Sequence, residues 1–247
     1  MRRSKMACIA LCWAAEALGP RVGAADTLTL TATRDNTLIE SAMGNLSNGA
    51  GTYFFAGRTG QSSDALRRGL LAFDLTSVPA ESSIGSVILA VHLSRAASAA
   101  THEVRLHRVL APWGEGTSIG GSGEGAGAPA TPGDATWIHA SLGSRIWASP
   151  GGDFASAPSA TAAASGPGTL TWGSTPAMVA DVQAWVDAPE SAHGWIVLGD
   201  EATTRSAKRF ASRQNASVSM RPMLTVTFAP PTAVESGTWG RVKELFR

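Results

Sequence analysis

Short segments that alternate apolar and polar residues with period two, each bounded by Gly, Pro, Asn or Asp, recur along this 247-residue chain and restrict it to sheet structures. In TLTLTAT at 27–33, Leu28, Leu30 and Ala32 fall on one face and the threonines on the other. The same reading predicts strands at 52–56, 66–75, 84–94, 103–109, 168–172, 195–198, 208–212 and 223–228. Turn signals separate them, among them Asp35-Asn36, Ser47-Asn48-Gly49 and Val78-Pro79. Only Val179, Val182, Trp185 and Val186 keep helical spacing, and Pro189 ends that run. The expectation is therefore all-β: a jelly-roll-like β-sandwich over 26–229, one domain, with one short helix and a long Gly-rich loop insertion. In RRGLLAFDL the simplest buried set is Leu71, Phe73 and Leu75.

Charged residues make up only 16% of the chain and the net charge is +1, which argues against a disordered chain and against a nucleic-acid binder. Arg2, Arg3 and Lys5 precede an apolar run at 6–18 and a small-residue stretch at 22–25, so 1–25 reads as a cleaved secretory signal, too short to be a transmembrane span. Cys8 and Cys12 both lie in it. The mature chain then has no disulfide, no zinc-thiolate site and no thiol catalysis. Without Arg2, Arg3, Lys5, Arg21 and Glu16 it carries 16 basic and 18 acidic residues, with no basic run to suggest nucleic acid or membrane.

From 112 to 167 the rhythm breaks into Gly, Ala, Ser and Pro, with Trp113, Trp137, Trp147 and Phe154 interspersed and Glu115, Glu124, Asp134 and Asp153 beside glycines. This reads as one or two large surface loops pinned by aromatics, with the tract 120–127 mobile. Trp113, Trp137, Trp147 and Trp172 are the candidates for stacking on a sugar face; the alternative is that they form the loop's own small core. Glu115, Asp134 and Asp153 are the candidates for a structural Ca²⁺, against ordinary turn-capping carboxylates. Arg67, Arg68, Arg209 and Arg213 are read first as partners for Asp74, Asp181 or Glu201 and second as contacts to an acidic ligand.

Catalytic motifs are weak. Gly116-Thr117-Ser118-Ile119-Gly120 matches G-x-S-x-G, but a Gly-rich loop rather than a helix follows it. His92, His102, His107, His139 and His193 are scattered without metal-ligand spacing. Glu115 with Asp134 or Asp153 is the one carboxylate pair worth inspecting for glycosidase chemistry, and the chain is not expected to be an enzyme. After Pro230-Pro231, Trp239, Val242, Leu245 and Phe246 have helical spacing among Arg241, Lys243 and Arg247. The last ten residues could make a short amphipathic helix, packed against the domain itself or a secreted or envelope partner; the alternative is a frayed end.

RRGLLAFDLTSVP at 67–79, LHRVLAPWGEGTS at 106–118, GDATW at 133–137, PGGDF at 150–154, ADVQAWVD at 180–187, GWIVLGDE at 194–201, KRFASRQN and RPMLTVTF occur in that order. Together they resemble the DNRLRE domain of secreted bacterial proteins, over nearly all of 26–228. The resemblance implies a β-sandwich and, in some members, a carbohydrate-binding module attached to polysaccharide-degrading enzymes, including an alginate-binding type. The expectation is an exported, non-catalytic module binding a polysaccharide or cell-surface glycan. The alternative is a structural or adhesive extracellular protein without a small ligand.

Overall fold

The structure, a computed structural model, describes residues 24–231. The signal at 1–25 falls almost wholly, and the tail at 230–247 largely, outside the described residues. In chain order come β1 (Asp26–Ile39), β2 (Leu46–Ser47), β3 (Tyr53–Arg58), β4 (Leu66–Phe73), β5 (Ser83–Ala96) and β6 (His102–Arg108). Next are β7 (Ala128–Pro129), β8 (His139–Ser141), β9 (Arg145–Ile146), β10 (Ala160–Ala164) and β11 (Gly168–Trp172). The helix α1 (Pro176–Asp187) precedes β12 (Trp195–Leu198), β13 (Lys208–Ala211) and β14 (Met223–Ala229). Among the described residues the class is all-β, and no helix is long and apolar enough to cross a membrane.

Two strands, β1 and β3, each change partner along their length. β1 pairs with β14 from Asp26↔Phe228 to Thr31↔Met223; past a bulge between Ala32 and Arg34 it pairs with β4, ending at Ile39↔Arg67. β3 pairs with β13 from Tyr53↔Ala211 to Ala56↔Lys208, and its last two residues pair with β4. Because β13 and β14 both pair with β5, the circuit β1-β14-β5-β13-β3-β4 returns to β1 as a closed six-stranded barrel. Closure removes most free edges of the main sheet, and β10 and β11, which lie at its edges, are five residues each.

The barrel interior holds the alternating apolar set: Phe54, Leu71, Phe73, Leu89, Phe210 and Leu224, with Trp172 and Trp195. Phe54 and Phe210 stack at 5.1 Å, and burying such a side chain contributes about 1.5–3 kcal/mol. The helix begins where the sequence favours it: Thr175 Oγ1 accepts from the Met178 amide at 3.0 Å, and Pro176 occupies the first turn. Its Met178, Val182, Trp185 and Val186 join this core.

Two expectations need correction. Leu70 and Ala72, the other face of β4, are as buried as Leu71 and Phe73. They meet a second apolar layer in which Leu38, Ile196 and Leu198 cluster with Val109 and with Trp113 and Trp147 of the long excursion, so β4 is covered on both faces. Asp35-Asn36 is no turn but the middle of β1, fully buried. Asn36 is satisfied there by distant segments: its Nδ2 donates to the Glu115 carbonyl at 2.7 Å and its Oδ1 accepts from Ser47 Oγ at 3.0 Å, whereas Asp35 Oδ2 accepts from the Arg213 amide and its Oδ1 has no partner among the described residues.

Candidate functional site

The tryptophans proposed for stacking divide sharply. Trp172 lies in the barrel core, its indole N–H donating to the Val104 carbonyl at 2.9 Å. Trp113 and Trp147 are each 3% exposed in the second layer, donating to the His193 and Thr136 carbonyls. None of these three offers an indole face to a sugar, which corrects that expectation. Trp137 is half-buried, with the Arg68 guanidinium 4.8 Å from its ring.

The three carboxylates considered for Ca²⁺ are each occupied by donors of the chain. Glu115 grips Arg213 through two bonds of 2.5 Å and accepts from the Asp35 amide at 3.0 Å. Asp134 accepts from the Thr131 amide at 2.6 Å, and Asp153 from the amides of Ala148 and Ser149 at 2.8 and 3.0 Å. The two aspartates thus cap turns, whereas Glu115 is the partner of an arginine rather than a turn cap. Among the described residues no group of three or more His, Cys, Asp or Glu side chains is arranged to hold a metal ion.

The arginines singled out in the sequence also separate. Arg68 forks onto Glu201 at 2.7 and 2.9 Å and Arg213 onto Glu115. Asp181 instead accepts from Ser159 Oγ and Trp195 Nε1, with Arg108 at 3.6 Å, and Asp74 caps the Thr76 amide. Of the histidines, His102 meets Asp200 at 2.9 Å and His107 Nδ1 meets the Ala155 carbonyl at 2.8 Å. Hydrogen bonds led by Thr203 hold the Asp200 carboxyl well below the usual carboxylate range. Ser118 is buried in a loop, not on a strand-to-helix elbow.

A groove of about 660 Å³ lies on the outer face of β3, β13 and the end of β5, walled by the Gly-rich turn at 122–126. Arg67, Arg95, Arg205, Lys208 and Arg209 line it, and no Asp or Glu does. Their roles differ. Lys208 is 1% exposed and turned inward, giving its ammonium to the carbonyls of Ser98, Ala100 and Ser165 at 2.9–3.2 Å; burial lowers its pKa. Arg67, also buried, spends its donors on the carbonyls of Gly125, Asp64 and Leu66 and on Gln61.

Arg209 keeps Nε on Ser94 Oγ at 3.0 Å and lays its guanidinium 3.8 Å from the centre of the Tyr53 ring, leaving its other nitrogens toward solvent. Arg95 and Arg205 are exposed, and neither side chain has a hydrogen bond or ion pair among the described residues. The Arg205 backbone sits at φ +64, a conformation non-glycine residues seldom adopt. Phe55, 8% exposed, adds an apolar floor.

Sequence reasoning marks Arg209 but gives no reason to single out Arg95 or Arg205. The usable signal is register: only the pairing of β13 with β5 sets Arg95 beside Arg209. No family model matches the chain, and no curated protein matches it.

Proposed function

We propose that this chain is an exported, non-catalytic module that binds an anionic polysaccharide along the basic groove. The observation that carries the reading is a groove lined by five basic side chains and no acidic one, in which, among the described residues, Arg95 and Arg205 have no hydrogen bond or ion pair and Arg209 is bonded only through Nε. Guanidinium forks match carboxylate and sulfate oxygens, and Phe55 supplies apolar surface for the ring of a sugar. Hydrolysis by two carboxylates requires acids flanking the scissile bond, and the lining supplies none, which supports binding over turnover. Secretion and kinship with the DNRLRE domain belong to the same reading, with the barrel as the jelly-roll-like scaffold such a module would use.

Affinity electrophoresis and calorimetry with polygalacturonate, dextran sulfate and neutral dextran test it. The two anionic polymers are expected to bind and to be released by salt, since exposed charge pairs are screened, while dextran is not retained. Equal retention of dextran, or no retention of either acidic polymer together with self-association of the protein, overturns the reading in favour of a structural or adhesive role.

A further inference from the structure

The wall of the groove at 120–127 is the stretch that the sequence marks as mobile, yet it is tied down by an acid. Glu124 takes a left-handed backbone at φ +62 and turns its carboxylate away from the groove. There it accepts from the Thr52 amide at 3.1 Å, Thr52 Oγ1 at 2.5 Å, the Tyr53 amide at 3.0 Å and Asn48 Nδ2 at 3.0 Å. Asn48 Oδ1 accepts from the Gly120 amide at 2.7 Å, and Arg67 Nε donates to the Gly125 carbonyl at 2.8 Å. The turn is thus pinned at Gly120, Glu124 and Gly125. Three of the four donors to Glu124 belong to Thr52 and Tyr53, and it is on the Tyr53 ring that Arg209 rests.

We propose that Glu124 is the positioning residue of the anion site: its carboxylate fixes the wall against β3 and thereby sets the width of the groove and the stacking of Arg209. This rests on the groove being the binding site. Charge alone gives the opposite expectation, because a carboxylate beside an anion site repels the ligand, and removing it would then tighten binding. The two accounts therefore differ in sign, which a merely structural role does not reproduce.

Glu124→Ala and Glu124→Gln are measured beside the wild-type protein for polygalacturonate affinity, melting temperature and amide hydrogen exchange at 120–127. Glu124→Ala is expected to weaken binding about tenfold despite losing a negative charge, the equivalent of one charge-assisted hydrogen bond. Exchange should quicken at 120–127 and stay unchanged in the barrel strands. Glu124→Gln, which keeps one acceptor oxygen, is expected between the two. Equal or tighter binding by folded Glu124→Ala overturns the positioning role while leaving the groove standing. A wild-type protein that ignores polygalacturonate overturns the groove and this role with it. Should Glu124→Ala not fold, Thr52→Val removes one of the four bonds without altering charge. It should weaken binding about threefold, and unchanged affinity there counts against the proposal.

Discussion

Arg95 and Arg209 stand directly opposite one another on β5 and β13, two cations on one face of the sheet with no carboxylate between them. Like charges so placed cost about 0.2–1 kcal/mol. The arrangement is stability given up for a local positive potential. Arg95→Gln is expected to hold or raise the melting temperature slightly while weakening polygalacturonate binding about fivefold, roughly one screened contact. A lower melting temperature with unaltered affinity would make the pair structural instead.

Glu115 has a different task. Its carboxylate gathers Arg213, the Asp35 amide and Gln214 Nε2, and its own carbonyl accepts from Asn36. It therefore fastens the excursion to β1 and to the turn after β13. Glu115→Ala leaves the Arg213 guanidinium and the Asp35 amide without this partner, while Asn36 keeps the backbone carbonyl and Gln214 keeps that of Gly49, and the expected loss is about 2–4 kcal/mol of unfolding free energy. Urea titration reads it directly; Arg213→Ala should cost less, because that side chain is partly exposed.

Asp35 makes stability depend on pH. Burial pushes its carboxyl up to about 7, with the negative charge of Glu115 adding to the shift and the hydrogen bond from the Arg213 amide opposing it. Since the unfolded chain titrates near 3.9, the folded state holds the proton more tightly through the interval between. This contribution is complete below pH 4 and is lost as pH rises through about 7. His107 and His193, both lowered chiefly by burial, act in the opposite sense near their ordinary range, so the comparison must be between variants. Asp35→Asn keeps an acceptor for the Arg213 amide and does not titrate. The gap between its unfolding free energy and that of the wild-type protein is expected to shift in favour of the variant from pH 4 to pH 8, and a constant gap would rule the assignment out.

The sheet content was legible because its signals are local. Predicted strands at 168–172 and 195–198 coincide with β11 and β12, where alternation or an apolar run is bounded by Gly. β10, ATAAA, carries almost no branched or aromatic residue and gave no strand signal; it is a strand because β6 offers it a ladder. Asp35-Asn36 reads as a turn by composition, and only the distant Glu115 and Ser47 make it strand. Barrel closure was equally hidden, since it depends on β1 and β3 each changing partner midway. The groove belongs to the same class: Arg209 is marked by the sequence, but Arg95 is unremarkable until the register of strands far apart in sequence brings the two together.

Trp113 distinguishes a recognition aromatic from a packing one. The residue is 3% exposed, its indole N–H donates to the His193 carbonyl at 2.8 Å, and the Arg34 guanidinium lies 4.8 Å from its ring while donating to its carbonyl. Removing it empties part of the layer between the excursion and β12, where Leu198 and Ile196 lose a neighbour and Arg34 loses its platform. Trp113→Ala is therefore expected to cost about 3–5 kcal/mol of stability. Because the side chain is absent from the groove lining, the affinity of the remaining folded protein for polygalacturonate should equal that of the wild type. Paired urea denaturation and calorimetry decide between the two roles: a stable variant with weakened binding would return this tryptophan to the ligand site.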